Sequence, residues 1–149
     1  MTGRRYVGSR EPRIDGRDKV SGAARFVDDL DFGPDLLHAA VVESTHAHAR
    51  IVAIDTSAAE AMPGVVKVVT GADFPFTFGL YMKDRFVFAQ DRVRFVGEQV
   101  AAVVAHDPAT AKRAAAEVEV TYEPLPAVLD VDAALADDAL LIHPCLLYT

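Results

Sequence analysis

Apolar residues fall in short bursts separated by turn chemistry, and their spacing changes period several times along the chain. "LLHAAVVES", Leu36 to Ser44, is an apolar run of strand length that follows the turn residues Gly33-Pro34-Asp35. A second strand is predicted from Ala49 to Asp55, although it alternates poorly around Ile51 and Ile54. "TSAAEAMPG" predicts a short helix whose first turn Thr56 or Ser57 can cap and which Pro63-Gly64 ends. "VVKVVT", Val65 to Thr70, is the next strand, then "GADFP" is a turn and "FTFGLYMKDRFVF" an aromatic loop.

The clearest pattern begins at Val93. "VRFVGEQVAAVVAHD" is either one strand broken at Gly97 or two strands, because the missing side chain permits a bulge or a close backbone approach. Asp107-Pro108 then opens a helix: the aspartate accepts from orphan amides, and proline at the first helical position lacks a donor that would be orphaned anyway. Ala111, Ala114, Ala115 and Val118 recur at i, i+3, i+4 and i+7, a small-residue stripe suited to lying close against a sheet, with Lys112, Arg113 and Glu117 on the polar side. "VEVTYE" returns to a period of two, and "PLPAVLDVDAAL" runs out through an extended piece to a short helix. Strands alternating with short helices make a mixed α+β domain with the helices packed on a mixed sheet. Before all this, residues 1–25 are rich in Gly and Arg without sustained period and read as an extended arm.

Composition narrows the function classes. The chain has 149 residues, 51% hydrophobic and 25% charged, the size and balance of one folded domain. Its net charge of −7 is uneven: up to Arg25 there are seven basic residues (Arg4, Arg5, Arg10, Arg13, Arg17, Lys19, Arg25) against Glu11, Asp15 and Asp18, a local +4, and the remainder carries eight basic against nineteen acidic, a local −11. An acidic body argues against nucleic acid, whose phosphates call for a basic surface. The lone Cys145 excludes an internal disulfide and a cysteine-rich zinc cage. No apolar run approaches the roughly 20 residues of a membrane span. Arg4-Arg5 suggests a twin-arginine export signal, yet Ser9 to Lys19 is polar where an apolar core would have to follow. The expected compartment is cytoplasmic.

Candidate chemistry is sparse. In "STHAHARI", His46 and His48 would share one face of a strand, with His38 upstream and Glu43 or Asp55 able to complete a ligand set. A zinc site needs three or four ligands, and imidazoles bonded at a strand edge or a partner contact are the plainer reading. Glu98 stands between apolar runs beside Gly97, where burial would raise its pKa, but a lone carboxylate is usually hydrogen-bonded structure. Lys83 in "YMKDR" has the setting of a swinging-arm attachment lysine, with only one Met beside it and bulky aromatics around it. No glycine-rich phosphate loop occurs, and no Ser/His/Asp set stands out.

Read in order, several stretches are specific. "DGRDKVSGAARFVDD", "LLHAAVVESTHAHARIVAIDTSAAEAMPGVVKVVTGADFP", "VRFVGEQVAAVVAHDPATAKRAAAEVEVTYEPLPAVLDVDAAL" and "HP" resemble the N-terminal α/β-hammerhead region of the molybdopterin-binding large subunit of the xanthine dehydrogenase, aldehyde oxidase and carbon monoxide dehydrogenase family. The resemblance runs from about Arg13 to Pro144. Thr45 stands where that family often has proline in Ser-Pro-His-Ala-His, and Gln99 where Gly-Glu-Pro is common; each change frees a backbone donor.

The resemblance implies an arm at 1–25, a hammerhead domain at 26–135, and at 136–149 the start of a linker to a downstream domain. Within that linker, "CLLYT" (145–149) resembles a translated sequencing-adaptor remnant more than the family. It implies a scaffold portion of a molybdenum hydroxylase acting on aldehydes, N-heterocycles or carbon monoxide, with oxygen taken from water. The cofactor would be molybdenum on a pterin dinucleotide, with iron–sulfur clusters and FAD in partner subunits or domains, in a dimeric complex. The family's glycine-rich loop near molybdenum and its catalytic glutamate lie downstream, so no catalytic, cofactor-binding or metal residue is assigned here, Glu98 included. Two alternatives are a stand-alone interaction or carrier module using Lys83, and a small metal-binding domain centred on His46 and His48. A domain shaped to pack against a larger subunit is also expected to expose apolar surface, and His46 and His48 to lie on a strand near a domain or subunit contact.

Overall fold

β7 (Gln99–Ala105) is the central strand of the larger sheet, and its sequence explains why. Val100, Ala101, Val103 and Ala105 are fully buried, so an unbroken apolar run is covered on both faces. β1 (His38–Glu43) pairs antiparallel along one edge, from His38 opposite Ala105 to Glu43 opposite Gln99. β3 (Val65–Thr70) pairs antiparallel along the other, giving the order β1-β7-β3. A second antiparallel sheet has the order β6-β2-β8, built from β2 (Ala49–Asp55), β6 (Arg92–Val93) and β8 (Glu119–Pro124). β4 (Thr77–Phe78) and β5 (Arg85–Phe86) form a small hairpin. These features come from a computed structural model that describes residues 8, 10–81 and 83–143.

The helix after β7, α3 (Pro108–Ala115), starts as its sequence predicts. Asp107 accepts the Thr110 N–H at 2.8 Å, with Pro108 at the first helical position. Ala111 and Ala114 are buried, and Ala114 joins Ala59, Val68, Ala101, Val103 and Val118 in one core cluster. Small side chains let the helix backbone approach the sheet closely, as their stripe anticipates. Val118, however, lies beyond the helix end and reaches the core from the turn into β8. A second cluster, Ala49, Ala89, Val93 and Val100, joins β2 and β6 of the second sheet to the start of β7 in the first. Ile54 and Val120 pack against both clusters and so tie the two sheets together.

Several sequence expectations are refined. "VRFVGEQVAAVVA" is two strands, and they belong to different sheets. The turn between them requires Gly97, whose φ of +87° is a left-handed conformation that side chains disfavour. The short helix α2 (Ser57–Glu60) carries no cap from Thr56; Asp55 Oδ1 accepts instead from the Ser57 amide and hydroxyl, at 2.9 and 2.6 Å. Asp130, not foreseen, caps α4 (Val131–Ala134) by accepting from the Ala133 N–H at 2.7 Å. Within the stretch read as an extended arm, α1 (Gly16–Ser21) is helical and ends on the left-handed Gly22. The chain divides into two compact units between Asp35 and Leu36, ten residues beyond the arm boundary read from sequence. Pro144 and the "CLLYT" stretch lie outside the described residues.

Candidate functional site

His46 and His48 are not on a strand. Both fall in the loop between β1 and β2, which Ser44 organises by accepting the His46 amide on its hydroxyl at 3.0 Å. The two imidazoles then part company. His46 lies against the Tyr122 ring, with centroids 4.6 Å apart and planes tilted by 35°, and its Nδ1 is 3.1 Å from the Thr45 hydroxyl. His48 is buried, and its Nδ1 donates to the Pro126 carbonyl at 2.6 Å. The His48 carbonyl in turn accepts the Leu125 N–H at 3.0 Å, so residue 48 clasps the chain leaving β8 with both backbone and side chain. The strand periodicity that paired the histidines was overridden by a loop whose bonds are local and long-range at once.

The other proposed ligands do not converge on the histidines either. Asp55 binds Ser57, whose hydroxyl and then amide hold its carboxyl below the usual carboxylate range. His38 opens β1 opposite Ala105, and Glu43 closes it opposite Gln99. The His106 amide donates to the Gly64 carbonyl at 3.0 Å. Among the described residues, no three His, Cys, Asp or Glu side chains converge on a metal-sized point. Lys83 is exposed in the loop joining β4 to β5, between Tyr81 and Asp84.

Glu98 has a clear structural task. Its carboxylate accepts the Arg94 backbone N–H and closes the turn from β6 to β7. The same turn is sewn to the β1–β2 loop twice: Ser44 N–H donates to the Glu98 carbonyl, and Gly97 N–H to the Ser44 carbonyl, both at 2.8 Å. Gln90, which sequence reasoning passed over, organises the neighbouring loop. Its Nε2 lies within 3.3 Å of the Gly71, Phe74 and Phe88 carbonyls. A Cβ at Gly71 would come within 2.6 Å of the Ala89 carbonyl, so that close approach requires glycine. A lone amide inside "VFAQD" was the only signal available.

The turn from β6 to β7 forms one side of a groove of about 490 Å3. Phe78, Phe86 and Phe95 supply apolar wall, Arg94 and Glu98 line it, and Asp84, Arg85 and His143 also face it. The Arg94 side chain is only 13% exposed and that of Glu98 17%, with Nη1 to Oε1 at 3.9 Å. Arg94 Nη2 is 3.8 Å from Asp91 Oδ1, and Nη1 donates to the Arg92 carbonyl at 3.3 Å. Its buried Nε–H finds no acceptor among the described residues. Two cations and two carboxylates share the site, so their formal charges cancel.

Comparison with known proteins assigns this arrangement. Residues 21–126 match the family described as "Aldehyde oxidase and xanthine dehydrogenase, a/b hammerhead domain". The chain is 41% identical over 140 residues to xanthine dehydrogenase 1 of Arabidopsis thaliana, covering 93% of this chain and 10% of that protein. It is 36% identical over 139 residues to the nicotinate dehydrogenase large molybdopterin subunit of Eubacterium barkeri, covering 92% of this chain and 32% of that one. In the crystal structure of Cu,Mo-CO dehydrogenase in its carbon monoxide reduced state, the corresponding region superposes with a TM-score of 0.82 at 40% identity, covering 90% of this chain and 17% of that one. The chain thus spans a tenth to a third of the length of these relatives. The two sheets, the small-residue helix and the match over residues 21–126 place this chain in the aldehyde oxidase and xanthine dehydrogenase family, as its α/β-hammerhead domain.

Proposed function

We propose that this chain is the hammerhead scaffold of a molybdenum hydroxylase large subunit, folding and docking without itself turning over substrate. The observation that carries this is the uninterrupted family match over residues 21–126, joined to a fold shared with a Cu,Mo-CO dehydrogenase. The whole enzyme would oxidise an aldehyde, an N-heterocycle or carbon monoxide, adding oxygen from water and passing two electrons onward. Its partners would be the downstream part of the same subunit and the iron–sulfur and FAD subunits or domains, in a dimeric cytoplasmic complex. No helix among the described residues is long and apolar enough to cross a membrane.

A molybdenum pterin dinucleotide does not fit the residues described here. Its phosphates call for clustered donors, whereas the groove sets Asp84 and Glu98 beside Arg85 and Arg94. The N-terminus of α3, an anion seat in principle, is already taken by the Asp107 carboxylate. The cofactor therefore belongs to the rest of the subunit, where it would supply the redox chemistry while this domain contributes shape. The test is expression of the complete large subunit with its neighbours, molybdenum analysis, and turnover of xanthine, aromatic aldehydes and carbon monoxide with an artificial electron acceptor. Turnover by the complete protein and none by these 149 residues is expected. A complete protein without molybdenum, or activity in the short chain, would overturn the reading.

A further inference from the structure

Asp15 is the one aspartate of this chain that a glycine follows, and the chain has no asparagine. The carboxyl carbon of an aspartate lies within five-membered-ring reach of the next residue's amide nitrogen. A following glycine, lacking a Cβ, leaves that approach unhindered. Asp15 also stands in the open: its side chain is 49% exposed, and no residue of α1, which begins at Gly16, is buried. Two features hold the reaction back in the folded chain. Asp15 has a ψ of 0°, which turns the Gly16 nitrogen away from the side chain, and the Gly16 N–H donates to the Arg13 carbonyl at 3.0 Å. The carboxylate is meanwhile paired with Lys19 Nζ at 2.5 Å and Arg13 Nε at 3.2 Å. Lys19 above all holds the Asp15 carboxyl below the usual carboxylate range, and an ionised carboxylate is a poor electrophile.

We propose that the Asp15–Gly16 bond is a site of isoaspartate formation, gated by the opening of α1. The gate is weak. A six-residue helix falls well short of the roughly 12–15 residues an isolated helix needs, and α1 has no buried side chain to anchor it. Ile14 before it and Val20 within it are almost fully exposed. When α1 opens, the Gly16 nitrogen gives up its proton and attacks Asp15 Cγ. A C–N bond forms, the carboxyl C–O bond breaks and water leaves, closing a succinimide ring. Water then reopens the ring, and opening at the Asp15 backbone carbonyl leaves the chain running through the former side chain. Mass is restored and no electrons are exchanged, but the main chain is one carbon longer. That carbon displaces the carbonyl that accepts the Lys19 N–H at 3.1 Å and carries the carboxylate away from its ion pairs, so the modified chain no longer starts α1. The product is the chemical substrate of a methyltransferase that esterifies isoaspartyl carboxylates.

The test is incubation of the 149-residue chain for weeks at neutral pH, native and in urea, followed by peptide mapping and enzymatic methyl transfer to isoaspartate. The expected result in the native chain is several-fold more isoaspartate at residue 15 than at any other aspartate, with faster formation in urea. Gly16→Ala should slow formation several-fold in both conditions. Its circular dichroism should be preserved, because Gly16 has no left-handed φ and the added carbon asks only a small movement of the exposed Arg13 side chain. Lys19→Ala should speed formation in the native chain and leave the rate in urea unchanged, since its ion pair with Asp15 exists only when α1 is formed. A native chain that gains no more isoaspartate at residue 15 than at its other aspartates would overturn the proposal. Equal rates in the native and urea-unfolded chain would overturn the gate. No readout involves molybdenum, so the outcome stands apart from the functional reading.

Discussion

At the scale of single residues, His48 holds the chain leaving β8. It donates to the Pro126 carbonyl from a buried position, so truncation would leave that carbonyl unpaired and open a hole beside it. His48→Ala should lower stability by about 1–3 kcal/mol in urea unfolding, whereas His46→Ala should cost less than about 1.5 kcal/mol, its main loss being the Tyr122 ring contact. Neither substitution should change the metal content of the purified chain; stoichiometric zinc that disappears in the double variant would contradict the geometry. Asp107 offers a pH signature. The Thr110 side chain and then its amide hold the Asp107 carboxyl below the usual carboxylate range. A lowered folded-state pKa means the unfolded chain binds the proton more readily. The contribution is therefore complete above the ordinary carboxylate pKa and is lost as pH falls through the depressed value. Asp107→Ala should accordingly flatten the acid limb of the stability profile below about pH 4, as read by melting temperature against pH.

At the scale of elements, α3 is the most informative because composition and packing agree. Ala114 is fully buried against the sheet, in the cluster that includes Ala101 and Val103. Ala114→Leu should destabilise by about 1–3 kcal/mol through overpacking, with Lys112→Ala on the polar side as a near-neutral control. Elements of this kind were legible in the sequence. β2 and β3 occupy the ranges their spacing predicts, and the aspartate–proline start of α3 is as expected. What periodicity could not supply was partnership. β6 and β7 are contiguous in sequence yet enter different sheets, a choice made by Gly97 and by the bonds to Ser44 that lie some fifty positions away. The histidine pair failed for the same reason: i and i+2 share a face only if the backbone stays extended, and Ser44 folds it into a loop. The family motifs, being long and collinear, carried the assignment that single residues could not.

At the scale of the whole molecule, the surface bears the expectation of exposed apolar side chains. Phe76, Phe78, Leu80, Tyr81, Phe95 and Val96 are all exposed, from the β4–β5 region and the β6–β7 turn, and Phe26 and Phe32 are exposed in the first unit. Soluble monomers seldom leave contiguous apolar patches of more than a few hundred Å2. The isolated chain should therefore associate with itself as concentration rises in sedimentation velocity and should enhance the fluorescence of an apolar dye. A well-behaved monomer that binds no dye would argue that this surface needs no cover.

The strand order also dictates when the domain can form during synthesis. β1, β2 and β3 are made first, yet none pairs with another: β1 and β3 await β7, and β2 awaits β6 and β8. At roughly 5–20 residues per second, the interval of about 60 residues between β1 and β7 lasts about 3–12 seconds. Through most of it, strands emerge from the ribosome with their backbone amides and carbonyls unclaimed, a window for chaperone capture or for mispairing with a neighbouring nascent chain. Completion of β7 ends that window for two strands at once, so translation speed through the codons for residues 71–105 becomes a determinant of yield.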